Sequence, residues 1–200
     1  FIQAWYREIA PLSNLAPEDA TRRAEDLCKR IRVPTLWELA PTPLLLTVMA
    51  HVHSSKNELP ETRAKVYAEM VDILLSRWDQ VRLSEIAPMS KLLAEVGRDP
   101  ESLRRTLSKL AFELRARRQN RARTKDAKQD LADIPKLDLL DGLKELTPGK
   151  KDYNWAVRAL ETIEERAGLI APDTLGSDVF TFPHPSFQEY LAGVHLADDD

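Results

Sequence analysis

Residues 165–192 read ERAGLIAPDTLGSDVFTFPHPSFQEYLA. Two short apolar runs, Leu169-Ile170-Ala171 and Val179-Phe180-Thr181-Phe182, flank a turn-rich interval, 172–178, that carries Pro172, Gly176 and two aspartates. That pattern predicts a β-hairpin. A helix is predicted to begin near Ser186, because Ser186 and Glu189 have capping-box spacing with Ser186 as the N-cap. His184 lies two residues before that start, between Pro183 and Pro185. A helix N-terminus presents unsatisfied N–H groups and the positive end of the helix dipole, which suits a phosphate, and an imidazole held there can donate to it. The same residues equally fit a histidine that only orders the strand–helix junction, and the residues alone leave these two readings level.

Upstream of this stretch, apolar residues recur at helical spacing in three segments. Residues 153–167 place Ala156, Ala159, Leu160 and Ile163 on one face, with Gly168 as the expected C-cap. Residues 137–146 form a shorter helix ended by Pro148-Gly149, and residues 101–117 carry Leu103, Leu107, Leu110, Ala111 and Leu114 on one stripe. Helix, helix, helix, hairpin, helix is the order of a winged-helix domain. Pro88, Gly97 and Pro100 interrupt the pattern before it, so the domain boundary is placed at 83/84.

Residues 1–83 read as a helical bundle. A short helix over 1–9 stops at Pro11. Pro17 suits the first position of the next helix, and Glu18 and Asp19 suit its positive end. Cys28 falls on the stripe of Ala20, Ala24, Leu27 and Ile31, which makes it a core residue rather than a nucleophile. Thr35 and Glu38 have capping-box spacing and predict a short helix to Ala40. Pro43 opens LLLTVMAHV, apolar nearly all round and therefore a buried helix. Residues 54–60 read as a polar loop, and residues 62–82 as the longest helix. The expected fold is mainly α: a helical bundle (1–83), then a winged-helix domain (84–200) with a small two-stranded β wing.

Composition narrows the chemistry. Lys and Arg number 29 against 32 Asp and Glu, a net charge of −3 that exerts no general pull on nucleic acid or anionic membrane. A single cysteine rules out an internal disulfide and a Cys-rich zinc site. The strongest apolar run, 43–52, is far short of the roughly 20 residues that span a bilayer. Only 6 of 200 residues are glycine, which disfavours glycine-built phosphate loops. Gly149-Lys150 fails as one: Gly142 is too distant, Lys151 follows where Ser or Thr is needed, and no strand precedes.

The basic run Arg115, Arg117, Arg118, Arg121, Arg123, Lys125 and Lys128 lacks interleaved aromatics and reads as a solvated helix end and loop. The helix that would enter a DNA groove, 153–167, carries Glu161, Glu164 and Glu165 against Arg158 and Arg166, a poor face for phosphates. His51 and His53 are two apart and share no helical face, and His195 is alone, so no metal site is indicated.

The chain resembles NACHT-type signal-transduction NTPases of the STAND class. The resemblance rests on Phe180-Thr-Phe-Pro-His184-Pro-Ser-Phe-Gln-Glu-Tyr-Leu-Ala192, on Glu165–Ile170, on residues 36–78, and on FIQAWY at the start. It implies a helical domain and a winged-helix domain that close over ADP or ATP held by an upstream nucleotide-binding core of the same chain. His184 would contact the ADP phosphate and Pro43 would pack near the base. Exchange to ATP would release the winged helix and permit homo-oligomerisation in signalling or defence. Walker motifs are absent, so the sequence is not read as an enzyme on its own; the resemblance implies a piece of a longer, cytoplasmic protein. A DNA-binding winged-helix regulator and a helical protein-interaction module are the alternatives.

Overall fold

The computed structural model describes residues 1–56, 58–76, 89–122, 134–149, 152–166, 169–174, 176–182 and 184–198. The chain forms two compact units, Phe1–Ile73 and Leu74–Asp200. The boundary expected at 83/84 falls within 77–88, outside the described residues.

The first unit contains α1 (Ile2–Ile9), a 3-10 turn at Pro11–Ser13, α2 (Pro17–Ile31), α3 (Pro34–Trp37), α4 (Pro43–Lys56) and α5 (Arg63–Ser76), whose last turn belongs to the second unit. Helix α2 has Pro17 in its first turn beside Glu18 and Asp19, and Lys29 and Arg30 in its last, so both ends match the helix dipole. Its face of Ala20, Ala24, Leu27 and Ile31 is buried, with Tyr6, Leu36, Leu45, Met49 and Met70 among the surrounding core. Two expectations are corrected. Helix α4 runs to Lys56, so 54–56 is helical rather than loop. Helix α3 begins at Pro34 with Val33 as N-cap, so Thr35 is no cap: its Oγ1 donates to Glu61 O at 3.2 Å, and Glu38 accepts from Arg63 at 3.1 Å.

The second unit contains α6 (Met89–Glu95), α7 (Pro100–Ala122), β1 (Ile134–Pro135), α8 (Lys136–Lys144), α9 (Tyr153–Arg166), β2 (Ala171–Pro172), β3 (Val179–Thr181) and α10 (Pro185–Asp198). At 23 residues α7, not the segment 62–82, is the longest described helix. The sheet is antiparallel in the order β1-β3-β2, pairing Ile134 with Phe180 and Ala171 with Thr181. The expected two-stranded wing is β2–β3, and β1 is a third strand the sequence did not announce. Gly176 turns the hairpin with φ +79°, a left-handed backbone that glycine adopts without a Cβ clash. From α7 to β3 the order helix, strand, helix, helix, strand, strand is that of a winged helix. Phe180 on the central strand and Phe187 on α10 are fully buried, and α10 packs along α7. Trp155 Nε1 donates to Leu92 O at 2.8 Å, tying α9 to α6 through a buried bond. Gly142, once measured against a phosphate loop, lies in α8 at a close approach to α7: a Cβ there would stand 2.8 Å from Leu110 Cδ1.

Candidate functional site

The site is the junction of β3 and α10. Pro185 opens α10, because its ring fixes φ near the helical value and its missing N–H is not needed in the first turn. The N-cap is therefore His184, and Phe187 N–H donates to His184 O at 3.1 Å. This corrects the assignment of Ser186 as N-cap. Ser186 sits one turn position inside the helix, and its partner in the expected capping box is engaged elsewhere: Glu189 pairs with Arg115 of α7 at 3.2 Å.

The His184 imidazole does the capping. Ser186 N–H donates to His184 Nδ1 at 3.3 Å, and Ser186 Oγ lies 2.5 Å from the same nitrogen. A backbone N–H can only donate, so Nδ1 accepts and the ring proton is assigned to Nε2. Ser186 and Gln188 are buried and His184 is half-buried. The first turn of α10 carries no acidic residue, so nothing on that turn offsets the positive end of its dipole. An N–H donor on an imidazole at such a helix start matches an oxyanion.

Pro43 lies in the first unit, at the start of α4, and is exposed. Thr47 Oγ1 donates to its carbonyl at 2.9 Å. An apolar cavity of about 430 Å³ in that unit is lined by Cys28, Ile31, Trp37, Ala40, Pro41 and Leu46, among others, with Pro43 outside the lining. Cys28 is half-buried against this cavity rather than enclosed in the core.

Sequence reading missed a hydrogen-bond chain in the first unit, buried at Tyr6 and His53 and reaching the surface at Asp26 and Arg30. Tyr6 Oη lies 2.5 Å from His53 Nδ1, and His53 Nε2 lies 2.9 Å from Asp26 Oδ2, which also accepts from Arg30 at 2.7 Å. Burial pushes the Tyr6 hydroxyl up to about 12, so it is the donor to Nδ1 and His53 donates from Nε2 to the carboxylate. Arg30 first, then His53, hold Asp26 below its ordinary value. The chain joins α1, α4 and α2. No spacing rule exposes it, because its members are 27 and 47 residues apart.

The basic run is partly paired: besides Arg115 with Glu189, Arg117 bonds Asp138. Its members from Arg118 on, the Gly168 cap and Lys150 fall outside the described side chains or residues. On α9, Arg158 pairs with Glu95 at 2.8 Å, while Glu161 and Glu164 are exposed. Among the described residues no group of three or more His, Cys, Asp or Glu could hold a metal ion, and no helix is long and apolar enough to cross a membrane.

A family described as the winged helix-turn-helix domain C-terminal to NACHT matches residues 63–196. No curated protein and no solved structure matches the chain.

Proposed function

This chain belongs to the family of winged helix-turn-helix domains C-terminal to NACHT, and on that premise we propose that it is the regulatory part of a nucleotide-controlled switch. The nucleotide-binding core lies upstream in the same protein and holds ADP in the inactive state. His184 donates from Nε2 to an ADP phosphate, and Pro43 of the other unit contributes near the base. Exchange of ADP for ATP withdraws the His184 contact and permits self-association in signalling or defence. The chain turns over no nucleotide by itself, and the cytoplasm expected from its sequence is the setting of this reading.

The observation that supports it best is the orientation of His184: Nδ1 is taken up inside the helix start by Ser186, which leaves the ring a donor at its other nitrogen. A switch of this kind works only if the nucleotide binds the closed state better than the open one. A hydrogen bond to a charged group is worth roughly 1.5–3 kcal/mol. Release of ADP from the full-length protein, wild type beside His184→Ala, measures that difference. Faster release and raised basal signalling are expected. Unchanged values of both would remove His184 from the nucleotide site. The DNA-binding alternative gains nothing from the exposed acidic residues of α9.

A further inference from the structure

We infer that Ser186 is a positioning residue: its hydroxyl and backbone N–H together hold His184 in the Nε2–H tautomer. The inference rests on the reading of His184 as the phosphate contact for its functional consequence, but its geometric half is independent of any nucleotide.

In neutral imidazole either nitrogen can carry the proton, and the hydrogen bond made by one nitrogen decides the state of the other. At His184 two groups converge on Nδ1. Ser186 Oγ is at 2.5 Å and Ser186 N at 3.3 Å. A proton on Nδ1 would face the Ser186 N–H directly, two donors meeting head on. A hydroxyl can donate or accept, but the amide can only donate, so the amide leaves Nδ1 unprotonated and the hydroxyl, at the shorter distance, then donates to the same nitrogen and reinforces that state. Ser186 is 8% exposed, and among the described residues its hydroxyl has no hydrogen-bond partner besides His184.

The consequence is a ring with one remaining hydrogen-bonding capability. Nε2–H donates and cannot accept, so it selects an acceptor such as a phosphate oxygen and rejects an amine or ammonium. The alternative tautomer would present a bare Nε2 lone pair, which repels a phosphate. Ser186 thereby sets the polarity of His184 without touching the ligand. Pro185 supports this by fixing the backbone between the two residues, so that the hydroxyl returns to the ring of the residue two positions back.

The test labels the histidine ring nitrogens of the full chain with nitrogen-15 and reads the protonation of each by long-range proton–nitrogen correlation. The His184 signals are assigned by their loss in His184→Gln. Wild type is expected to show Nδ1 unprotonated and Nε2 protonated, Ser186→Ala, which keeps the amide but loses the reinforcing hydroxyl, to raise the share of the Nδ1–H form, and Ser186→Thr to restore the wild-type pattern. A purely structural serine would leave the tautomer unmoved. In the full-length protein Ser186→Ala is expected to speed ADP release about two- to tenfold, the worth of one neutral hydrogen bond, with Ser186→Thr near wild type. An Nδ1–H form already dominant in wild type, or an unshifted tautomer in Ser186→Ala, overturns the inference. Accelerated ADP release in His184→Ala with none in Ser186→Ala overturns it as well. A shifted tautomer with ADP release unchanged in both variants upholds the positioning role and sinks the phosphate reading instead, so the two failures are told apart.

Discussion

His184 has two tasks at one atom pair's distance, and a pair of substitutions separates them. His184→Ala deletes both the cap acceptor and the Nε2 donor. His184→Asn deletes the imidazole donor but supplies a side-chain oxygen, among the best N-cap acceptors known. The cap bond from Ser186 N–H to Nδ1 is 3.3 Å, beyond the usual 2.7–3.2 Å range of such bonds, so it falls at the weak end of cap energies. A loss of about 0.5–1 kcal/mol is expected for Ala, which for a unit the size of Leu74–Asp200 is a drop of roughly 2–4 °C in Tm. Asn should recover that loss or exceed it. Its amide ends closer to the backbone than Nε2 does, so both variants should release ADP about ten- to hundredfold faster, the range for a bond to a charged group. Thermal melts of the chain read the first effect, and displacement of a fluorescent ADP analogue from the full-length protein reads the second. An Asn variant that retains ADP like wild type would refute the donor assignment, and an Ala variant with wild-type Tm would refute the cap.

Three further outcomes are expected. Tyr6→Phe leaves His53 Nδ1 buried without its donor and should cost about 1–3 kcal/mol by denaturant titration; it should also flatten the alkaline limb, because a hydroxyl raised from 10.0 to about 12 makes the native state lose stability as pH climbs between those values. Asp26, held below its ordinary 3.8, contributes stability that is complete above that value and is lost as pH falls through its lower native value; the gap between wild type and Asp26→Asn should therefore shrink in acid, and a gap that widens there contradicts the ion-pair account. Phosphate release from this chain with ATP or GTP and magnesium should stay at the blank, and turnover that tracks the protein through successive columns would place a catalytic core inside it.

Much of the architecture was legible from period and punctuation. The stripes of Ala20, Ala24, Leu27 and Ile31 and of Ala156, Ala159, Leu160 and Ile163 are buried as their spacing predicts. Pro17, Pro34, Pro43, Pro100 and Pro185 each open a described helix. Both capping boxes were misread for one reason. At Thr35 and Ser186 a proline stands one residue earlier, and proline at the first helical position starts the helix there, moving the cap upstream to Val33 and His184. Strand β1 was illegible because two residues have no period, and one of them is a proline, which donates nothing to a ladder. At the site, His184 was visible as a histidine before a helix, but the Ser186 contact that fixes its tautomer depends on backbone geometry, not on residue type.

The Tyr6–His53–Asp26 chain has a bearing on how such a sequence can drift. Tyr6 and His53 are complementary and buried, so replacing either alone strands a buried polar atom of the other, whereas replacing both by apolar residues of similar size removes both halves of that bond at once and can be nearly neutral, since Asp26 is half exposed and keeps its bond from Arg30. The single changes are thus barriers and the joint change is a pass between two viable states, a sign-dependent coupling that a double-mutant cycle would register as a large interaction energy. Chains that share this bundle are accordingly expected to hold the tyrosine and the histidine as a pair or to have exchanged both for hydrocarbon.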